Sequence, residues 1–146
     1  MKNKETLVIS SALIYYIAMQ LYKDPQLLAK TTNILGLLAD KNRLKIIKLL
    51  ECKNCCVCEL AYMLNIKQPS VSQHLKKLKE AGIINSNPAG LWTNYSLCSK
   101  DEPYVKLLLT VVSEWLNGDE EIKKDKARIM ELDRNNLCVE NKKNGK

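Results

Sequence analysis

The sequence predicts a mainly α-helical fold with a small β-hairpin, arranged as a winged helix-turn-helix. Three observations carry that prediction. Val71, Leu75 and Leu78 recur at core spacing in a segment opened by Pro69, and a short apolar helix and a three-residue turn precede it, which is the layout of a helix-turn-helix. Gly82 then stops the helix and a strand, turn and strand follow, which adds the wing. Finally, Pro103–Leu116 carries apolar residues on two faces. One face suits the domain's own core and the other suits a second copy of the chain, so a homodimer through the N- and C-terminal helices is expected.

In chain order, residues 6–22 form an uncharged stretch after Lys2 and Lys4. Leu7, Ile14, Ile17 and Leu21 share a helical face that Val8, Ile9, Leu13 and Tyr16 widen, as in a helix buried on several sides. Ser10, Ser11 and Gln20 interrupt it, and no small-residue cleavage site follows Ala18, so residues 1–23 are expected to be a dimerisation helix rather than an export signal or membrane span. Asp24-Pro25 opens a second helix through Leu38, with Pro25 suited to a first turn. Asp40 caps a third, with Leu44, Ile47, Leu49 and Leu50 inward and Lys41, Arg43, Lys45 and Lys48 expected in solvent.

Residues 59–64 read as a short helix with Leu60 and Leu64 inward, and residues 65–67 as the turn before the Pro69 helix. Ile83-Ile84 begins a strand, residues 85–90 read as turn chemistry, and Leu91, Thr93, Tyr95 and Leu97 alternate on the returning strand. On Pro103–Leu116, Tyr104, Leu108, Val111 and Trp115 form one face, with Val105, Leu109, Val112 and Leu116 beside it. Gly118 breaks that helix, and Asp119-Glu120-Glu121 suits the N-terminal dipole of another. The expected organisation is a winged helix-turn-helix with its dimerisation helix at 24–117, then a C-terminal helix and flexible tail at 118–146.

The 146 residues carry 23 Lys+Arg against 16 Asp+Glu, a formal charge of +7, which favours a polyanionic partner. On the Pro69 helix, Ser70, Ser72 and Gln73 are short polar groups near its start, placed to reach base edges in a major groove. Lys67, Lys76 and Lys77 would take phosphates, although a lysine on any other helix is simply a solvated charge.

Four of the six cysteines fall at positions 52, 55, 56 and 58, too close together for good disulfide geometry, so reduced thiols in a cytoplasmic protein are expected. Soft sulfur ligands select soft metals or metalloids. Cys56 and Cys58 sit at a helix start, where the dipole and unpaired N–H groups should lower a thiol's pKa, and ligation there should distort the first turn and shift the helix-turn-helix.

Other classes fit less well. Cys55-x-x-Cys58 could serve a thiol oxidoreductase, but a helix precedes it where a strand is needed. A structural zinc module lacks its distant ligand pair. Vicinal thiols also oxidise, which leaves a redox-sensing repressor as the alternative. Catalysis is not expected: there is no phosphate-binding glycine loop, His74 is the single histidine, and no nucleophile stands beside a base.

Leu38-Ala39-Asp40-Lys41-Asn42-Arg43-Leu44-Lys45-Ile46, Cys56-Val57-Cys58-Glu59-Leu60, Gln68-Pro69-Ser70-Val71-Ser72-Gln73-His74-Leu75 and Ala81-Gly82 follow one another in an order and spacing that resembles the ArsR/SmtB metal-sensing repressors. The resemblance covers roughly residues 30–116. It implies a homodimeric winged-helix repressor that binds an inverted repeat in double-stranded DNA, releases it on binding metal, and needs no organic cofactor and no membrane. It also places Gln68 and His74 at the DNA face. Family wings usually carry basic residues, whereas residues 85–90 contain no Lys or Arg.

The Cys-Val-Cys-Glu-Leu element resembles that of the arsenic- and cadmium-type branches, with Cys56 and Cys58 at the matching pair. Ala61 stands where many arsenic sensors have a further cysteine, so the third thiolate comes from elsewhere: Cys55 by proximity, with Cys138 the outside candidate. Cadmium-type relatives use cysteines of an N-terminal arm, and none precedes Cys52 here; the zinc branch uses dimer-helix histidines. The resemblance therefore points to arsenite or antimonite, As(III) or Sb(III), as inducer, with a cadmium- or lead-responsive repressor as the other family reading.

Overall fold

Asp40 starts the helix on which the rest of the fold is built. Its backbone is extended and its carboxylate accepts the Arg43 N–H at 3.0 Å, satisfying a donor that has no partner within the helix. A computed structural model describes residues 15, 16, 18, 19, 23–98, 103–135 and 137 of the chain. The elements are α1 (Leu27–Leu38), α2 (Lys41–Leu50), α3 (Val57–Leu64), α4 (Gln68–Glu80), β1 (Ile84–Ala89), β2 (Trp92–Leu97), α5 (Pro103–Leu116) and α6 (Glu120–Glu131). Residues 15, 16, 18 and 19 have helical backbone. The remainder of the expected helix at 1–23, the tail at 141–146 and Cys138 lie outside the described residues.

The core lies where α2, α3 and α4 meet the base of the hairpin. Ile46, Leu49, Leu60, Val71, Leu75, Leu78, Ile83 and Ile84 are all withdrawn from solvent there, and burying such a side chain stabilises the fold by about 1.5–3 kcal/mol each. Asn65, left-handed at φ 54°, ends α3; a short polar side chain tolerates that conformation. Lys67 then returns to extended backbone, and Pro69 falls in the first turn of α4, where no N–H is required. Gly82, at φ 74°, reverses the chain after α4.

Two expectations are corrected. Of the α2 cations expected in solvent, Lys41 is exposed but Arg43 and Lys48 are buried and Lys45 is largely covered. Arg43 donates through Nε to Leu37 O and through Nη2 to Gly36 O, closing the C-terminal end of α1. Lys45 meets Asp125 at 2.6 Å and Glu121 at 3.0 Å on α6. Lys48 donates to Ser113 O at 3.1 Å, Ser113 Oγ at 2.9 Å and Asn117 Oδ1 at 2.9 Å, and pairs with Glu51 at 2.6 Å. Helical periodicity assigned these cations to water because it does not see their partners: those of Lys45 and Lys48 on α5, α6 and Asn117 lie about 65 to 80 residues away, and those of Arg43 are backbone carbonyls of the preceding helix.

The second correction concerns the wing. Residues 85–89 are strand rather than turn, paired antiparallel from Ile84↔Leu97 to Ala89↔Trp92, and the reversal is Gly90-Leu91, with Gly90 at φ 61°. Pro88 is tolerated because a two-stranded sheet leaves each strand one free edge. The inward parity of β2 also differs: Leu91, Thr93 and Leu97 are exposed, while Tyr95 packs on the core and Trp92 packs elsewhere.

Candidate thiol site and nucleic-acid interface

Cys55, Cys56 and Cys58 are all buried, but not together. Cys55 forms a β-bridge with Tyr95: its N–H donates to Tyr95 O at 3.1 Å and its carbonyl accepts the Tyr95 N–H at 2.8 Å. Extended backbone sends successive side chains to opposite sides. Cys55 accordingly joins the main core, with Sγ 3.4 Å from Lys53 O, while Cys56 and Cys58 form a separate patch against Trp92. Cys56 is the N-cap of α3, and a side-chain hydrogen bond links it to Cys58.

The helix start does not lower the Cys56 thiol as expected. Burial pushes Cys55 up to about 12, with the Glu59 charge adding to it. Burial also raises Cys56, outweighing the hydrogen bond from Cys58 and the N–H of Glu59. At both residues desolvation of the charged form wins over the groups that favour it.

Glu59 is the residue that sequence reasoning passed over, although Cys56-x-x-Glu59 has capping-box spacing. Its side chain is 1% exposed. It accepts the Cys56 N–H at 2.8 Å, meets Lys53 at 3.0 Å, and takes Arg134 Nε at 3.1 Å and Nη2 at 3.0 Å on one oxygen. Burial works to raise its carboxyl, but the Cys56 N–H and the two cations hold it below the usual value. Lys53 also donates to Leu132 O at 3.1 Å. The chain beyond α6 is thus docked over the start of α3, four residues before Cys138.

Among the described residues no three His, Cys, Asp or Glu side chains converge as a metal-binding group, and the Cys56/Cys58 pair presents two sulfurs on one patch. Cys52, with Sγ 3.6 Å from Lys48 O, and Cys98, whose N–H closes onto Ile83 O at 2.9 Å, sit apart from it.

On α4, the core residues Val71, Leu75 and Leu78 face inward, which leaves Lys67, Gln68, Ser70, Ser72, Gln73, Lys76 and Lys77 exposed together. Glu80, 3.9 Å from Lys76, is the one acidic residue of that helix. His74 is half-buried and turned toward the N-cap of α2, with Nδ1 3.8 Å from Asp40 Oδ1. Lys79, which the sequence did not single out, ties α4 to the hairpin through Ser86 Oγ at 2.6 Å.

On α5, Val105 is buried and Leu108, Leu109 and Val112 pack on the core, while Trp115 is 78% exposed. Leu28 and Leu35 of α1 are exposed too. Among the described residues no helix is long and apolar enough to cross a membrane.

Residues 40–86 match the family model described as "Bacterial regulatory protein, arsR family". The chain is 40% identical over 68 residues to the arsenic resistance transcriptional regulator ArsR1 of Pseudomonas putida, covering 44% of this chain and 53% of that one. It is 36% identical over 86 residues to an uncharacterised HTH-type transcriptional regulator, MJ1325, of Methanocaldococcus jannaschii, covering 58% of this chain and 93% of that one. The chain thus spans about half the length of the Pseudomonas relative and nearly all of the Methanocaldococcus one. Among solved structures, the homodimeric winged helix-turn-helix DNA-binding domain of Mb0332 from Mycobacterium bovis superposes with a TM-score of 0.54 at 23% identity. That match covers 67% of this chain and 90% of the other, and it shows the fold.

Proposed function

This chain belongs to the ArsR family of bacterial regulatory proteins, and from that premise we propose that it is a DNA-binding repressor whose operator is released when trivalent arsenic or antimony binds Cys56 and Cys58. The observation that carries the reading is the pair of buried thiols at the start of α3, the helix immediately before the exposed polar and basic face of α4. The named activity of the Pseudomonas relative in arsenic resistance supports the choice of inducer.

In this reading α4 enters the major groove. Ser70, Ser72 and Gln73 read base edges, Lys67, Lys76 and Lys77 hold phosphates, and Gln68 stands beside them at the helix start. Two copies pair through α5 and the N-terminal segment, which covers Trp115 and matches an inverted-repeat operator.

A third sulfur completes a three-thiolate shell. Cys55 is nearest along the chain, but it reaches the pair only by breaking both bonds of its bridge to Tyr95 and leaving the core; at about 0.5–1.5 kcal/mol net per hydrogen bond, that opposes binding. Cys138 follows the docked Arg134 by four residues, within about 14 Å of extended chain. Its route leaves the Tyr95 bridge and the core in place and gives up only the short turn after Asp133, where the Leu137 N–H reaches Asp133 O at 3.4 Å, so the tail is the better third ligand. Oxidation of the pair is the alternative reading, since neighbouring thiols are also open to it, and the reducing conditions of the test separate the two.

The test is an operator gel shift under reducing conditions, comparing arsenite, antimonite, cadmium and zinc. Cys56→Ser and Cys58→Ser should bind operator normally and fail to release it with arsenite; release surviving in Cys56→Ser overturns the site. X-ray absorption then assigns the third ligand: a three-sulfur shell lost in Cys55→Ser and kept in Cys138→Ser would return it to Cys55.

A further inference from the structure

We propose that Trp92 is the apolar wall of the Cys56/Cys58 site and that β2 carries the occupancy of that site to the wing. The inference rests on the reading that the thiol pair binds a trivalent metalloid. It starts from a contact the sequence did not suggest: Trp92 packs against Cys56 and Cys58 as a cluster separate from the main core. Trp92 is also the first residue of β2, directly after the Gly90-Leu91 reversal. Three residues further along the same strand, Tyr95 exchanges both backbone bonds with Cys55. The strand is therefore fastened to the thiol-bearing segment twice, by the packing of Trp92 on Cys56 and Cys58 and by a backbone bridge to the preceding residue. Six paired positions join β2 to β1, so a displacement of Trp92 is a displacement of the hairpin.

The chemistry requires such a displacement. Arsenous acid condenses with two neutral thiols: two As–O bonds break, two As–S bonds form, and the two thiol protons leave with the displaced hydroxides as two waters, with no electron transferred. The arsenic and its remaining ligand must fit where Trp92 already packs against the two cysteines. Protein interiors are close-packed, so the indole gives way rather than the space being free. Trp92 also bears on selectivity. An indole offers one N–H donor and no ligating lone pair. It cannot replace the waters of a divalent cation, whereas a neutral thioarsenite needs nothing from it beyond an apolar surface. The wing itself has no Lys or Arg at 85–91 and ends on the exposed Leu91. Moving it changes the shape presented to DNA rather than breaking ion pairs.

The test uses the full chain with Trp115→Phe, so that Trp92 is its one tryptophan, and a phosphine reductant that does not itself chelate arsenic. Sodium arsenite is titrated while Trp92 emission is read, and the arsenic retained after gel filtration is measured separately. The expected result is a quenched or red-shifted emission that saturates as one arsenic per chain is retained, and that is absent in Cys56→Ser. Retained arsenic with unchanged emission overturns this proposal alone. No retained arsenic overturns the repressor's inducer assignment, and this proposal with it. Trp92→Ala, with Trp92→Phe as the control for folding, is compared with the parent at arsenite concentrations that load each protein with one arsenic per chain. The Ala variant's ratio of operator affinity without and with arsenite should shrink at least about tenfold, within the range of ordinary allosteric couplings, and cadmium should gain on arsenite in competition. Full release of operator by the Ala variant overturns transmission through β2.

Discussion

Replacing Glu59 by Gln removes one charge from a carboxylate that is 1% exposed and leaves its shape almost unchanged. The amide oxygen still accepts the Cys56 N–H, so the helix cap survives and the change isolates the two ion pairs to Lys53 and Arg134. Hydrogen bonds to charged groups contribute about 1.5–3 kcal/mol each when enclosed. Lys53 and Arg134 are 28% and 23% exposed and recover some hydration when released, so about 1 kcal/mol per pair is the better figure. The loss should be about 2 kcal/mol, or about 4–8 °C in Tm for a chain of this size. Urea unfolding followed by circular dichroism measures it, at one fixed protein concentration because dimerisation would make the midpoint depend on it. Arg134→Met should cost about 1 kcal/mol alone, and the two changes together less than their sum by about 1 kcal/mol, as for residues in direct contact. Strict additivity would refute the docking of the tail on α3, and with it the short route for Cys138. If the docking holds, Arg134→Met should also weaken arsenite binding while leaving operator affinity unchanged.

Three further outcomes follow from other parts of the fold. Val111→Asp, one turn before the exposed Trp115 on α5 and outside the set that packs on the core, should convert a dimer to monomer in light scattering at micromolar concentration; an unchanged dimer would place the interface elsewhere. Gln73→Ala should cost about 1–3 kcal/mol on the operator and little on random DNA, whereas Lys77→Ala should weaken both and flatten the salt dependence; equal losses from Gln73→Ala on both DNAs would end its role in readout. Glu51 is pushed upward by burial, but Lys48, Ser113 and Lys126 hold its carboxyl below the ordinary value. A depressed carboxyl stabilises the fold fully above its unfolded pKa of about 4.3 and loses that contribution as pH falls through its lower folded value. Glu51→Gln should therefore flatten the acid side of a stability-against-pH curve below about pH 4.3, and an unaltered acid limb would show that the Lys48 network contributes no such term.

The fold and the DNA face were legible because their signals are local. Val71, Leu75 and Leu78 set which side of α4 faces the core, and once that side is fixed the outward positions of Ser70, Ser72, Gln73, Lys76 and Lys77 follow. Asp40 and Asp119 announce their helices by cap chemistry that acts within three residues, and both accept the expected N–H. The thiol site was legible only as a set of cysteines. Which sulfurs share a patch depends on the bridge from Cys55 to Tyr95 and on the indole of Trp92, and what fixes the helix start depends on Arg134. Those partners are about 35 to 80 residues away, beyond the reach of any periodicity. The same distance explains why Lys48 read as a solvated charge, whereas Arg43 did so because its acceptors are backbone carbonyls of the preceding helix; a buried cation is recognisable only with its partners in view.

The segment from Lys53 to Glu59 is consequently the place where remote parts of the chain meet. β2 holds it through Tyr95 and Trp92, and the chain after α6 holds it through Leu132 and Arg134. It also leads directly into α3, which packs on α4. A group entering between Cys56 and Cys58 therefore strains contacts with the wing, the tail and the reading helix together. The effect on DNA cannot exceed the difference in the ligand's affinity for the free and operator-bound forms. Couplings of about 1–3 kcal/mol correspond to about 5–150-fold in operator affinity. A single displaced contact would supply the low end of that range. Reaching the high end requires that the wing and α4 move as one, so the fold-change in release measured with and without Trp92 reports how much of the switch runs through the hairpin and how much through α3.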